Sequence, residues 1–135
     1  MTARVAVLAD DLIWASRLAA AVEQAGGEPL RLTSHDALVE ALDGPFPPQL
    51  LLVDLAGRRF DPLEALGHGR ESGLAALAVG QHEDLDLRQR ALDAGAGRWV
   101  SYNAFFRHGP RLVGELLGAV SPALGAGVDG PDTAR

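Results

Sequence analysis

The sequence predicts a single doubly wound α/β domain, a five-stranded parallel sheet with helices on both faces. Three observations carry that prediction. Short apolar runs alternate five times with segments of helical period, the pattern of repeated βα units. The central run, Leu50-Leu51-Leu52-Val53, is continuous rather than alternating, as in a strand covered by helices on both sides. And 135 residues are enough for one real core and too few for two ordinary α/β domains. Right-handed crossovers and the common strand order 2-1-3-4-5 then follow.

Taken in order, Arg4 to Ala9 reads as a buried strand, and Asp10-Asp11 makes an acidic turn after it. A helix from Leu12 to Ala25 carries Leu12, Ala15, Leu18, Ala19 and Val22 at helical spacing, and Gly26-Gly27 ends it. Pro29 to Thr33 is a short second strand; Ser34 or Asp36 starts a helix over Ala37, Leu38, Ala41 and Leu42, which Gly44-Pro45 breaks. Pro48 to Asp54 is the central strand, followed by a loop to Phe60. Asp61-Pro62 has the form of an N-cap with proline at the first helical position, opening a short helix over Leu63 and Leu66 that Gly67 and Gly69 are expected to end. Leu74 to Val79 is the fourth strand and Glu83 to Ala94 a helix closed by Gly95-Ala96-Gly97. Trp99 to Tyr102 is the fifth strand, and Pro110 is expected to open the last helix, over Leu112, Val113, Leu116, Leu117 and Val120. Residues 1–120 form the domain; 121–135, rich in Gly, Pro and Ala and without apolar period, read as a flexible tail.

Composition narrows the function classes. The chain is 47% hydrophobic and 22% charged, so disorder is not indicated for its body. With a net charge of −6 and scattered arginines there is no basic stripe, so nucleic acid and membrane are not expected partners. Cysteine is absent, which removes disulfides, thiolate metal sites and thiol catalysis and fits a reducing cytoplasm. Val5 to Leu8 is too short for a signal-peptide core or a membrane span. Every one of the 12 basic residues counted as Lys+Arg is arginine.

The candidate site is acidic. Asp10, Asp11 and Asp54 follow the ends of strands one and three, neighbours in the predicted order, at the edge where open parallel sheets place their ligands. Carboxylates at that meeting point are the type of hard oxygen donor that Mg²⁺ takes. No Gly-rich phosphate loop follows strand one and no Ser-His-Asp order is present, so no catalytic residue is assigned and no enzyme activity is expected.

From about residue 4 to 120 the chain resembles a response-regulator receiver domain, the CheY-like, flavodoxin-like (βα)5 phosphoacceptor module of two-component signalling. The resemblance rests on the acidic turn after strand one, Asp54 after strand three with the spacing from Asp10 that the family shows, and Ala-Leu-Asp-Ala-Gly-Ala at 91–96 before strand five. It implies that Asp54 holds the phosphoacceptor position and that Asp10 is the second acid of the metal-holding pair. Three switch positions depart from the family pattern, Ala9 standing for the first acid, Gly80 for the hydroxyl residue after strand four and Tyr102 for the lysine after strand five, while Trp99 falls at the fourth, the switch aromatic. Asn103 replaces the usual following proline, and Arg58 the proline in the loop after Asp54. With no lysine, Arg58 or Arg107 is the nearest substitute charge, and arginine is not the same compact donor. Mg²⁺ binding by Asp10, Asp11 and Asp54 is therefore expected to be weak.

The resemblance thus implies a degenerate receiver, or pseudo-receiver, that works by protein-protein interaction within a phosphorelay. Its partner is then a histidine kinase or other signalling protein, a second copy in a homodimer, or both. A working Mg²⁺-dependent receiver phosphorylated on Asp54, and a flavodoxin-like domain binding a small ligand at the strand ends, are the alternatives. Trp99, Phe105 and Phe106 near strand five are the expected interaction surface. Trp14 reads as core or groove packing, and the four histidines, without paired ligand spacing, as solvated surface.

Overall fold

A computed structural model describes residues 2–120. The strands are β1 (Arg4–Leu8), β2 (Glu28–Leu32), β3 (Leu50–Asp54), β4 (Ala75–Gly80) and β5 (Arg98–Ser101). They form one sheet in the order β2-β1-β3-β4-β5, every pair parallel. This is the predicted doubly wound order. The helices are α1 (Leu12–Gln24), α2 (His35–Asp43), α3 (Pro62–Glu71), α4 (Leu85–Ala94) and α5 (Tyr102–Val120). The tail expected from 121 onward lies outside the described residues.

Alternation along each strand splits the core into two layers. Val5, Val7, Leu50, Leu52, Leu77, Val79 and Val100 face α1 and α5. Ala6, Leu8, Leu51, Val53, Ala76 and Ala78 face α2, α3 and α4. All four apolar residues of β3 are fully buried, which is why its sequence reads as an unbroken apolar run. Burying one such leucine contributes about 1.5–3 kcal/mol, so β3 and its flanking strands anchor the edge where the acids sit.

Helix starts follow the capping chemistry. Asp11, Ser34, Asp61 and Asp84 accept hydrogen bonds from the first-turn amides of α1 to α4. Two expected boundaries are corrected. Gly67 and Gly69 lie inside α3, which runs on to Glu71; a Cβ at Gly69 would come 3.1 Å from the Leu51 side chain, so this glycine lets the helix approach the sheet closely. Likewise α5 starts at Tyr102, eight residues before Pro110, because the Ser101 hydroxyl accepts the Ala104 amide and caps the helix there. Pro110 is thus an interior proline, tolerated within a helix whose Phe105, Leu112 and Val113 are buried. Leu12, placed on the apolar face of α1 by its spacing, is instead 79% exposed. No helix among the described residues is long and apolar enough to cross a membrane.

Candidate functional site

The ends of β1 and β3, the β4–α4 turn and the first turns of α1 and α5 enclose an open cleft of about 710 Å³ lined by Asp10, Asp11, Trp14, Asp54, Arg58 and Tyr102, among others. The three acids singled out in the sequence do share one site. Each, however, has a separate local role.

Asp54 ends β3 and is 1% exposed, the one buried charged side chain among the described residues. Its Oδ1 accepts the Ala56 amide at 3.0 Å and the Tyr102 hydroxyl. Burial pushes the Asp54 carboxyl above its ordinary value; the Tyr102 and Ala56 hydrogen bonds oppose that shift, and the charges of Asp11 and Asp10 add to it. Tyr102 is pushed up as well, first by burial and then by its bond to Asp54, so the phenol stays a neutral donor at physiological pH. Its position follows from register: Ser101 pairs with Gly80 on β4, and Tyr102 is the next residue, at the start of α5. The Tyr102 ring packs against Trp14, with centroids 4.5 Å apart, which fixes the hydroxyl over Asp54.

Asp10 instead ties down the loop after β3. Its Oδ2 accepts the Arg58 amide at 2.8 Å and the Arg59 amide at 2.6 Å. Burial acts to raise the Asp10 carboxyl, but the Arg59 and Arg58 amides and the Arg59 charge outweigh it and hold the pKa below its ordinary value. The loop is folded tightly enough for this because Gly57 lies under the Phe60 ring, where any Cβ would clash at 2.1 Å. Asp11 accepts the Trp14 amide at 2.9 Å and caps α1.

Among the described residues, no group of three or more His, Cys, Asp or Glu side chains is arranged to hold a metal ion. Around this cleft Ala9 offers no side-chain oxygen, and Asp10, Asp11 and Asp54 each turn one carboxylate oxygen to a protein donor, which leaves one oxygen of each for another partner.

At Gly80 the sheet edge is filled. A Cβ there would lie 3.0 Å from Leu55 Cδ1 and 3.3 Å from the Trp99 indole nitrogen, so these side chains would have to give by a few tenths of an ångström to admit one. Trp99 is held in turn by Arg88 of α4, whose guanidinium lies 4.8 Å from the ring.

The expected aromatic surface is corrected. Phe105 is 2% exposed and belongs to the α1/α5 core layer, near Trp14. Trp99 packs on the opposite layer, and Phe106 alone of the three is largely exposed, at 65%. The three residues therefore form no common face. Arg107 is exposed on α5 and does not line the cleft, whereas Arg58 does. His35 and His68 depart from the solvated reading: their rings pack edge to face 5.4 Å apart, with His35 Nδ1 3.8 Å from Glu64 Oε1. Sequence reasoning missed the donors that engage the acids, namely the Tyr102 hydroxyl and the backbone of residues 56, 58 and 59. The one available signal was Ser101, a cap residue three positions before Ala104.

No protein-family model matches the chain, and no curated protein sequence does. Solved structures do match. A CheY-like response regulator receiver domain protein from Methanospirillum hungatei JF-1 aligns over 91% of this chain and 99% of its own, with 19% identity and a TM-score of 0.74. The receiver domain of TorR, the response regulator of the TMAO respiratory system, aligns over 88% and 99%, with 22% identity and a TM-score of 0.77. The chain has the receiver fold. A third match, the receiver domain of NtrX from Brucella abortus, covers 82% of this chain and 98% of that one at 19% identity, with a TM-score of 0.67. At these identities the likeness is one of receiver architecture, five parallel strands and five helices in the same order.

Proposed function

We propose that the chain is a receiver-fold interaction module of two-component signalling, in which the phosphorylation switch has been given up. One observation carries the reading. The residue at the lysine position of the family, Tyr102, places a neutral hydroxyl on the Asp54 carboxylate where a phosphoacceptor site needs positive charge. Phosphoryl transfer to a carboxylate develops charge on three oxygens, and loss of one such stabiliser commonly lowers the rate by about 10² to 10³. Here the lysine, one metal-holding acid and the hydroxyl residue are all replaced. Output then passes through a protein partner, a kinase or other signalling protein, or through a second copy. The cysteine-free composition fits action in the cytoplasm.

Arrangement of Asp10, Asp11 and Asp54 around one cleft favours a second reading, a slow but working receiver. The two separate cleanly. Incubation with acetyl phosphate and Mg²⁺, followed by intact mass, is expected to show no phosphoryl adduct and no change in association. Stoichiometric phosphorylation lost in Asp54→Asn would establish the second reading instead.

A further inference from the structure

We propose that His35 and His68, with Glu64 beside them, form a binding site for one transition cation of the Zn²⁺ class at the seam between α2 and α3. The site lies apart from the acidic cleft, and the inference goes beyond the interaction-module reading without resting on it.

The sequence builds this cluster from two helices. Ser34 accepts the Ala37 amide at 3.1 Å and caps α2, which fixes His35 as its first residue. On α3, capped by Asp61, Glu64 and His68 are four positions apart and so stand on one face, a turn from each other. The fold sets that face against the start of α2. There the His35 and His68 rings meet edge to face with centroids 5.4 Å apart, and His35 Nδ1 lies 3.8 Å from Glu64 Oε1.

These spacings are close to those around a metal. With Zn–N bonds of about 2.0–2.1 Å and tetrahedral angles, two imidazoles on one ion hold their centroids about 5.2 Å apart and neighbouring donor atoms about 3.3 Å apart. Edge-to-face packing alone accounts for the ring distance. It does not account for His35 Nδ1, which is buried and has no hydrogen-bond partner. A buried polar atom left unpaired is costly, and an imidazole nitrogen is a good ligand for a zinc-like ion.

The three side chains do not converge on one point as they stand, so this is not a preformed three-ligand set. Two small movements close it. Rotation of the His68 ring about χ2 presents its nitrogens to the ion and leaves the centroid in place. Glu64, with a side chain 61% exposed, needs to approach His35 Nδ1 by roughly half an ångström.

Donor type and charge select the ion. Two imidazoles with one carboxylate are a set that Zn²⁺ takes, whereas Mg²⁺ prefers oxygen ligands and water. The N-terminal end of the α2 dipole works against a cation at His35. Against that stand the Glu64 carboxylate and the last turn of α3, where His68 lies and where the dipole favours positive charge. A bound ion ties the start of α2 to α3.

The test titrates Zn²⁺ into the full chain, freed of metal by a chelator, while the imidazole nitrogen signals are followed by NMR. Zn²⁺ is expected to saturate at one equivalent, to shift the ring signals of His35 and His68 but not those of the exposed His82 and His108, and to raise the thermal midpoint. Mg²⁺ should do none of these. His68→Ala and Glu64→Gln should each weaken Zn²⁺ binding by at least about tenfold, and His82→Ala should leave it unchanged. Shifts spread over all four histidines, shifts centred on Asp10, Asp11 and Asp54, or no saturation below millimolar Zn²⁺ would overturn the proposal. The wild-type ring signals decide the matter even if a variant fails to fold. None of these outcomes depends on whether Asp54 accepts a phosphoryl group, so failure here and failure of the non-switching reading are distinguishable.

Discussion

Within β3 the chain crosses from one regime to another in a single residue. Leu50 to Val53 are fully buried and alternate between two helix layers, so any residue there is judged by volume and apolarity. Asp54 is as buried as its neighbours, yet it is judged by what reaches its oxygens: the Ala56 amide and the Tyr102 hydroxyl. The body keeps the pattern of the receiver fold because the hydrophobic effect is nondirectional and tolerates many sequences. At the edge, single substitutions change the chemistry. There, Tyr102 presents a neutral hydroxyl to Asp54, and at Gly80 the Leu55 and Trp99 side chains come within 3.0 and 3.3 Å of where a Cβ would lie.

That contrast makes Leu52→Ala the most damaging of the changes considered. It empties a fully buried position in the central strand and should cost about 2–5 kcal/mol by urea denaturation. A loss below about 1 kcal/mol would mean that the body is far more plastic than its packing indicates. Next is Gly80→Thr. Its Cβ meets Leu55 and Trp99 inside ordinary contact distance, so overpacking should destabilise by about 1–3 kcal/mol. Leu55→Ala should recover part of the loss in the double variant, and no recovery would show that strain lies elsewhere.

Much of this architecture is legible in the sequence, for reasons that differ from place to place. The unbroken apolar run before Asp54 and the Asp61-Pro62 start of α3 are local signals, and both appear where expected. The start of α5 is not legible, because Pro110 has the form of a first-turn proline, while the aromatic residues before it fit a strand as well as a helix. Phe105 and Phe106 are adjacent in sequence but point to opposite environments, which only the helix phase reveals. The Tyr102 to Asp54 contact joins residues 48 positions apart and has no local signature at all. Spacing brought Asp10, Asp11 and Asp54 to one edge; which donor each would meet depended on loop backbone that carries no motif.

Smaller effects should appear at the two central acids, with opposite sign. Asp10 has a lowered pKa, so its stabilisation is complete above the unfolded value near 3.8 and is lost as pH falls through the folded value. Asp10→Asn should therefore cost on the order of 1 kcal/mol at pH 7 and flatten the acid limb of stability. Asp54 has a raised pKa. Its ionisation opposes folding, so its contribution is most favourable when protonated and declines as pH rises from 3.8 through the raised value. Asp54→Asn keeps an acceptor for Tyr102 and Ala56 without the buried charge, and should leave stability at pH 7 unchanged or raise it by up to about 1 kcal/mol. Denaturant midpoints followed from about pH 2 to 7 test both signs. Clear destabilisation by Asp54→Asn would show that the ionised carboxylate itself holds the edge together.

The account turns on Tyr102 as a neutral partner of Asp54, and NMR titration of the Asp54 carboxyl carbon in the wild type and in Tyr102→Phe addresses that most directly. Since the hydroxyl lowers the Asp54 pKa against the larger effect of burial, the wild-type value is expected above 3.8 and the Tyr102→Phe value higher still. A wild-type pKa at or below 3.8, or one that Tyr102→Phe leaves unmoved, would contradict it.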